Sequence, residues 1–449
     1  MMNIAMNGKT ISKKARLLNY LKKLLLWFVP GIGVKRWLII SLAGTTLIGV
    51  GLAILILDVY RTSPETWWLP WLSVASLRFL ARPVRALIFG GIGLGLILLG
   101  IWGVNRNLMK PFLHPGRPVV DAITNHRRRE RGPRLVTIGG GHGMATVLRG
   151  LKQFTHNITA VVSVADDGGS SGAIRKELGI LPPGDIRNCL AALSTDEALL
   201  SQLFQYRFAE GDGALTGHSF GNLFISALAE LTGSFEEAVA ESGRVLAVHG
   251  RVLPSTLRDV RLVADIRLPN LVNEVRIEGE SQIPQAAGKV RHIWLEPNSP
   301  PGYPEAIKAI LNADLIVVGP GSLYTSILPN LLVPDVTEAI RASRALKIYV
   351  CNVATQPGET DYFTCEDHVR TIEDHVNGNL FDVILVNNDC RKKLPANLQW
   401  VRIDENLGEK YPIHQDKLVD QALPWHHDSE KLAQVLMDLL QERTGPLVE

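Results

Sequence analysis

The chain is poor in cysteine, in net charge and in the short signatures of hydrolytic or metal chemistry. Four cysteines in 449 residues, Cys189, Cys351, Cys365 and Cys390, include no C-x-x-C pair. That excludes a disulfide-stapled scaffold and leaves no zinc or redox spacing; the four read as reduced, packed thiols. Lys and Arg total 47 against 44 Asp and Glu, a formal charge of +3, whereas charge-driven disorder needs high net charge at low hydrophobicity. No G-x-S-x-G elbow and no H-E-x-x-H occur, so neither a hydrolase triad nor a zinc peptidase is supported. Past about residue 134 no Gly/Ser or Pro linker and no internal repeat divides the chain, which argues for one large domain there.

What is abundant is hydrophobicity. Apolar residues make up 46% of the chain while charged ones are still 20%, and mean hydropathy is +0.11. An apolar segment joined to an ordinary globular one explains the mixture. Residues 37–57 and 86–104 each run without a charge for the length of a hydrocarbon core. In the second run Gly91 and Gly95 have the small-x-x-x-small spacing that lets helix backbones approach, although glycine is common in membrane helices anyway. Trp27, Trp37, Trp67, Trp68, Trp71 and Trp102 gather here, mostly near the span ends, as an aromatic belt requires.

Lysine and arginine crowd residues 9–36 and 106–134, which directs both flanks to the cytoplasm; four arginines between the runs weaken the contrast. The first run is too long and too far from the N terminus for a cleaved signal peptide. The expected organisation is a basic cytoplasmic segment (1–36), a two-span membrane hairpin (37–105), a basic juxtamembrane linker (106–133) and a cytoplasmic domain (134–449). The arginines of residues 127–134 are expected to meet anionic lipid rather than nucleic acid, since no aromatic residues are interleaved with them.

After Pro133 short β-branched runs alternate with amphipathic helical stretches, the pattern of βαβ units. The expected fold is α/β, a Rossmann-like doubly wound and mainly parallel sheet preceded by two transmembrane helices. Strands are expected at 135–138, 159–165, 315–318, 346–350 and 381–386, helices at 197–208, 222–231 and 235–248, and an antiparallel excursion at 260–296. Ligands of such sheets bind beyond the carboxyl ends of the strands, which puts the weight on the loops there.

Gly139, Gly140, Gly141, His142 and Gly143 follow the first strand, where glycines let backbone N–H groups approach a phosphate at a helix N terminus. His142 reads equally well as a loop residue capping that helix. The motif is neither a complete dinucleotide fingerprint, with Met144 in place of a small residue, nor a P-loop, which disfavours an NAD-dependent dehydrogenase. Asp166 and Asp167 end the second strand and suit ribose hydroxyls or a hard cation such as magnesium, or else an Asp-Gly turn. Asp185 is placed to cap a helix at 186–193, with Arg187 and Asn188 on its first turn. Ser219 reads as a cap, and Asn222 can both donate and accept toward a base or sugar. Gly321, Ser322 and Tyr324 belong to a second strand, glycine turn and helix unit, and the polar loop 351–360 adds a further wall.

Together and in this order, G-G-G-H-G at Gly139, V-A-D-D-G-G-S-S-G at Val164, P-P-G-D-I-R-N at Pro182, G-H-S-F-G-N at Gly217, G-P-G-S-L-Y-T-S at Gly319 and C-N-V-A-T-Q-P-G-E-T at Cys351 closely resemble the bacterial gluconeogenesis-factor family, called YvcK-like. That family is similar in turn to the CofD-like 2-phospho-L-lactate transferases. The resemblance covers about residue 134 to the C terminus. It implies a regulatory binder of UDP-sugars, notably UDP-N-acetylglucosamine, needed for cell shape and wall synthesis on gluconeogenic carbon. It implies no required cofactor, with magnesium as an optional ion, and a cell-wall or kinase partner protein, and it leaves a homo-oligomer open.

On this reading Gly140, Gly141, His142 and Gly143 cradle the diphosphate, Asp166 and Asp167 hold ribose or magnesium, and Asn188, Asn222, Gly321, Ser322 and Tyr324 line the base and sugar pocket. No catalytic residue is assigned. A transferase of the phospholactyl type, using the same pocket, is the alternative. Two departures stand out. Met144 occupies a leucine position, and His426, in Trp425-His426-His427-Asp428, stands where many members place a basic residue. His426 would meet a diphosphate with full charge only when protonated. The hairpin is an addition that compact members lack.

Overall fold

The computed structural model describes residues 35–59, 77, 79–109, 129–130, 132–194, 199–209, 211, 213–269, 273–286, 288–404 and 407–444. The expected N-terminal basic segment (1–34), the tryptophan-rich stretch between the apolar runs (60–76) and most of the juxtamembrane linker (110–128 and 131) lie outside the described residues. The chain forms two compact units, Met1–Ala122 and Ile123–Glu449.

In the first unit the two apolar runs are helices, Lys35–Val59 and Arg82–Met109, packed on each other. Their closest approach is at Gly44 and Gly93. A Cβ on Gly44 would lie 2.7 Å from the Gly93 carbonyl oxygen, and one on Gly93 would lie 2.5 Å from Ile48 Cγ1. Gly91 and Gly95, the pair picked out by spacing, have nothing within 4 Å of their Cβ positions. The correction is geometric: two residues along a helix turn the chain by about 200°, so positions 91 and 95 face away from position 93. Thr45 and Thr46 donate to the carbonyls of Ser41 and Leu42, satisfying their hydroxyls within the helix. Leu42, Leu52, Leu87, Leu94 and Leu98 are exposed. The stretch Pro83–Val104 is long and apolar enough to cross a membrane by length and composition; the apolar stretch Ile39–Ile54 is shorter.

The second unit is built on a seven-stranded sheet. In chain order the strands are β1 (Leu135–Gly139), β2 (Ile158–Val162), β3 (Arg251–Pro254), β4 (Arg261–Arg267), β5 (Val275–Glu278), β6 (Lys289–Glu296), β7 (Leu315–Val318), β8 (Leu346–Val350), β9 (Val383–Asn387) and β10 (Ile413–Asp416). The large sheet has the order β10-β9-β8-β7-β1-β2-β3, and every neighbouring pair is parallel. Helices cover both faces, so the inner strands are apolar without a break. Alternate residues serve opposite cores: Val136, Ile138, Val161, Ile316 and Val318 face one, and Leu135, Ala160, Val162, Leu315 and Val317 the other.

Three differences from the expected elements have local causes. The second strand stops at Val162, because the Ser163 hydroxyl accepts from the Ala165 amide and turns the chain toward Asp166. The helix expected at 197–208 is Leu200–Gln205; residues 195–198 lie outside the described residues, and Arg207 pairs with Ser219 instead. Strands β3 and β10 went unforeseen because R-V-L-P and I-H-Q-D are sheet edges, short and only partly buried. The excursion at 260–296 is an antiparallel sheet of order β5-β4-β6.

Candidate functional site

The strand order runs outward from β1 through β2 and β3 on one side and from β7 through β10 on the other. Loops leaving the carboxyl ends of β1 and β7 therefore diverge and open a crevice, which is where a doubly wound sheet holds its ligand. A cavity of about 300 Å³ lies there, and its lining includes Gly140, Gly141, His142, Gly143, Gly321, Ser322 and His426. Asn352, Gln356 and Trp425 complete the walls.

Backbone contacts hold this crevice in shape. Gly141 sits at φ +63°, where a side chain would be strained, and opens the helix Gly141–Leu151 with no side-chain cap. Of the first-turn amides, which have no intrahelical partner, that of Gly141 goes to Asp185 and the following ones can serve a ligand. A Cβ on Gly143 would strike the Pro320 carbonyl, so the β1 and β7 loops can meet only through glycine. Asn352 brackets Gly321, donating to its carbonyl at 2.8 Å and accepting from its amide at 3.1 Å. Gln356 donates to the Ser322 hydroxyl at 2.7 Å. Asn330 is buried and donates to the Gly139 carbonyl, tying the strand end down.

His142 and His426 line the same cavity. Burial, then the neighbouring His426, Arg149 and Arg187, hold the His142 imidazole below its usual range. His427, beside His426, is buried, and burial pulls it down to about 4. An anion between His142 and His426 would favour protonation of both.

An acidic cluster lies outside the cavity lining and reaches it through Asp185. Asp185 does not cap its helix, which begins at Gly184 after Pro183 and has no side-chain cap. Its carboxylate reaches under the glycine loop and accepts from the Gly141 amide, and a Cβ on Gly140 would strike it. Burial, and then the charge of Asp166, raise Asp185 to about 7. Asp166 is raised by burial, against the Gly168 amide and the Ser171 hydroxyl that bond it.

Asp166 and Asp167 diverge. Asp167 accepts from the Ser281 amide at 2.8 Å and holds the turn after β5 against the β2 loop. That turn delivers Glu280, which burial and the charges of Asp166, Asp185 and Glu359 raise to about 8. Glu359 accepts from the Thr325 hydroxyl at 3.1 Å, and burial raises it to about 7. Four carboxyl groups thus share one region. Among the described residues no three His, Cys, Asp or Glu side chains form a ready metal site. Asp166 and Asp185, whose charges act on each other, are the carboxyl groups that would hold a magnesium ion if one bound beside the glycine loop.

The remaining expected site residues lie elsewhere. Tyr324 is in the core, its ring against Phe363 and His375, within the π-helical turn Leu323–Ile327. Asn188 accepts from Arg187, and Asn222 is buried at the start of the helix Phe220–Thr232 with Ser219 as its cap. Neither lines the crevice. Sequence reasoning missed the roles of Asp185, Glu280 and Glu359. Asp185 had a signal, an acidic residue in a proline-glycine loop; Glu280 had none.

Comparison with known proteins bears on the whole second unit. The family described as 2-phospho-L-lactate transferase CofD matches residues 135–442. A putative gluconeogenesis factor of Nostoc sp. is 48% identical over 459 residues, covering 96% of this chain and 96% of that one, so the similarity runs through the apolar helices. The gluconeogenesis factor of Bacillus subtilis is 44% identical and covers 69% of this chain and 99% of its own. A crystal structure of a UPF0052 family member from Bacillus halodurans is similar with a TM-score of 0.63 and 42% identity, covering 68% of this chain and 99% of that one.

Proposed function

The chain belongs to the CofD family and, within it, to the gluconeogenesis factors, and from that premise we propose that its α/β domain is a regulatory binder of a UDP-sugar, UDP-N-acetylglucosamine. The observation that carries this reading is the crevice between the β1 and β7 loops. There a glycine-built helix N terminus and two histidines line one cavity, and Asp185, beneath the glycine loop, joins it to a cluster of carboxyl groups outside the lining. The dipole of the helix Gly141–Leu151 and the first-turn amides after Gly141 suit a diphosphate. Asp166 and Asp185 suit magnesium bridging to it, and the bound ion would offset phosphate charge. The role follows the family: a factor for cell shape and cell-wall precursor synthesis on gluconeogenic carbon.

The same reading makes the hairpin a two-span membrane anchor with the α/β domain in the cytoplasm. Its support is the apolar length of Pro83–Val104, the outward leucines and the basic flanks, which suit anionic lipid. The test is calorimetry of the full chain in lipid nanodiscs with UDP-N-acetylglucosamine, with and without magnesium. Saturable, magnesium-enhanced binding is expected, and no binding at millimolar ligand overturns the reading. The CofD match favours a second reading, transfer of a phospholactyl-like group to an acceptor hydroxyl in the same crevice. Release of a nucleoside diphosphate together with a transferred product would establish it.

A further inference from the structure

A second cavity, of about 480 Å³, lies at the other edge of the large sheet. Leu135, Ile158 and Arg251, the first residues of β1, β2 and β3, border it, and the helix Pro304–Leu311 runs along it. The crevice is at the carboxyl ends of β1 and β7, and the two cavities share no lining residue.

The shape of this second cavity is held by the backbone and by a ring stack. The His156 amide donates to the Arg129 carbonyl at 2.9 Å, and Asn157 Nδ2 donates to the carbonyls of Glu130 and Gly132 at 3.0 and 2.7 Å. The end of the basic linker is thereby tied to two residues of the lining. The His156 ring lies flat on His249, with centroids 3.9 Å apart and planes 4° from parallel. Gly250, at φ +119°, lets β3 close on β2, since a Cβ there would lie 2.7 Å from the Ile158 carbonyl oxygen.

Its charges are less completely matched. Arg134 is committed to Asp314, with Nη2 and Nε donating at 2.7 and 3.2 Å. Arg251 and Lys308 share one carboxylate, Glu305, each at 3.8 Å. That separation is too long for a hydrogen bond, and an exposed pair of this kind holds its partners weakly. The lining thus carries one cation more than Glu305 and Asp314 neutralise. A carboxylate ligand would only repeat what Glu305 supplies. A phosphate ester presents several terminal oxygens and up to two charges, so it can engage the guanidinium fork and the ammonium together.

We propose that this cavity is a second anion site, which takes the phosphate group of a soluble ester or of a lipid headgroup on Arg251 and Lys308. The inference goes beyond the crevice and needs no UDP-sugar there; only its lipid source rests on the membrane-anchor reading.

Hydrogen exchange of the full chain in phosphatidylcholine nanodiscs tests it. One arm adds inorganic phosphate; the other replaces part of the lipid with phosphatidylglycerol. Amides of residues 156–159, 249–252 and 304–312 are expected to exchange about tenfold more slowly in at least one arm, as a ligand at about ten times its Kd requires. Protection by inorganic phosphate assigns a soluble ester, and protection by phosphatidylglycerol alone assigns a headgroup. Arg251→Gln combined with Lys308→Gln is expected to abolish this protection, while any protection of the glycine loop 139–143 by phosphate persists. Lys308→Glu alone is expected to do the same without touching β3. Arg370→Gln removes an exposed charge on another helix and is expected to change nothing. No protection in either arm, protection that survives both the double variant and Lys308→Glu, or an equal loss in Arg370→Gln overturns the proposal.

Discussion

The crevice and the acidic cluster beside it are built by opposite means. The wall from the β1, β7 and β8 loops is backbone and amide: Gly141 at positive φ, Gly143 against Pro320, Asn352 bracketing Gly321. The cluster is four carboxyl groups contributed by the β2 loop, a helix start, the turn after β5 and the β8 loop. One side is preorganised and needs no proton or ion to hold its shape. The other gathers carboxyl groups whose charges oppose one another and which protons or a cation would relieve. The cavity lining thus fixes shape, and the charge lies in a cluster outside it.

The largest expected effect comes from breaking the rigid wall. Gly143→Val places a side chain on the Pro320 carbonyl and should cost at least about a hundredfold in affinity for UDP-N-acetylglucosamine, since a near miss in positioning is enough for that; calorimetry reads it. Next is Asp185→Asn on the acidic side, which keeps an acceptor for the Gly141 amide but removes a cation ligand. Magnesium should then cease to enhance binding, a loss of about tenfold, seen by repeating the titration with and without the ion.

A third expectation concerns pH. Asp185 at about 7, Glu280 at about 8 and Glu359 at about 7 bind protons more tightly when folded than an unfolded carboxyl does. Their contribution to stability is fully present below about pH 4 and is lost as pH rises through 7 to 8. Without magnesium the unfolding temperature of the α/β domain should therefore fall by several degrees between pH 6 and pH 8.5. Glu280→Gln should flatten the profile; an upward slope across that window would contradict the acidic side as described. The smallest effect is His426→Arg, which places a permanent charge on the cavity lining and should tighten binding about threefold, read by the same calorimetry.

Much of this was legible in the chain. Strands β7 and β8 fall on their expected residues, because unbroken apolar runs ending in glycine or a polar loop carry a strong local signal. The glycine loop and the polar loop at 351–360 meet in the crevice for the same reason: a parallel sheet places all its strand ends on one edge. Asp166 and Asp167 were legible as a pair but not as divergent, since the direction of each depends on Ser281, 114 residues further along. Tyr324 looked like a lining residue by its place after a glycine turn. The π-helical turn rotates it into the core against Phe363.

Sequence by itself determined the elements and the loop chemistry: two apolar runs, a βαβ succession, glycines where backbone must approach an anion, and the family those motifs imply. These depend on residues within a few positions of one another, where steric and hydrogen-bonding rules are local. Only tertiary structure decided which groups share a space. Gly93 rather than Gly91 meets Gly44, and the turn after β5 brings Glu280 under the charges of Asp166 and Asp185. Burial and charge coupling act through space, between residues whose separation along the chain carries no record of the contact.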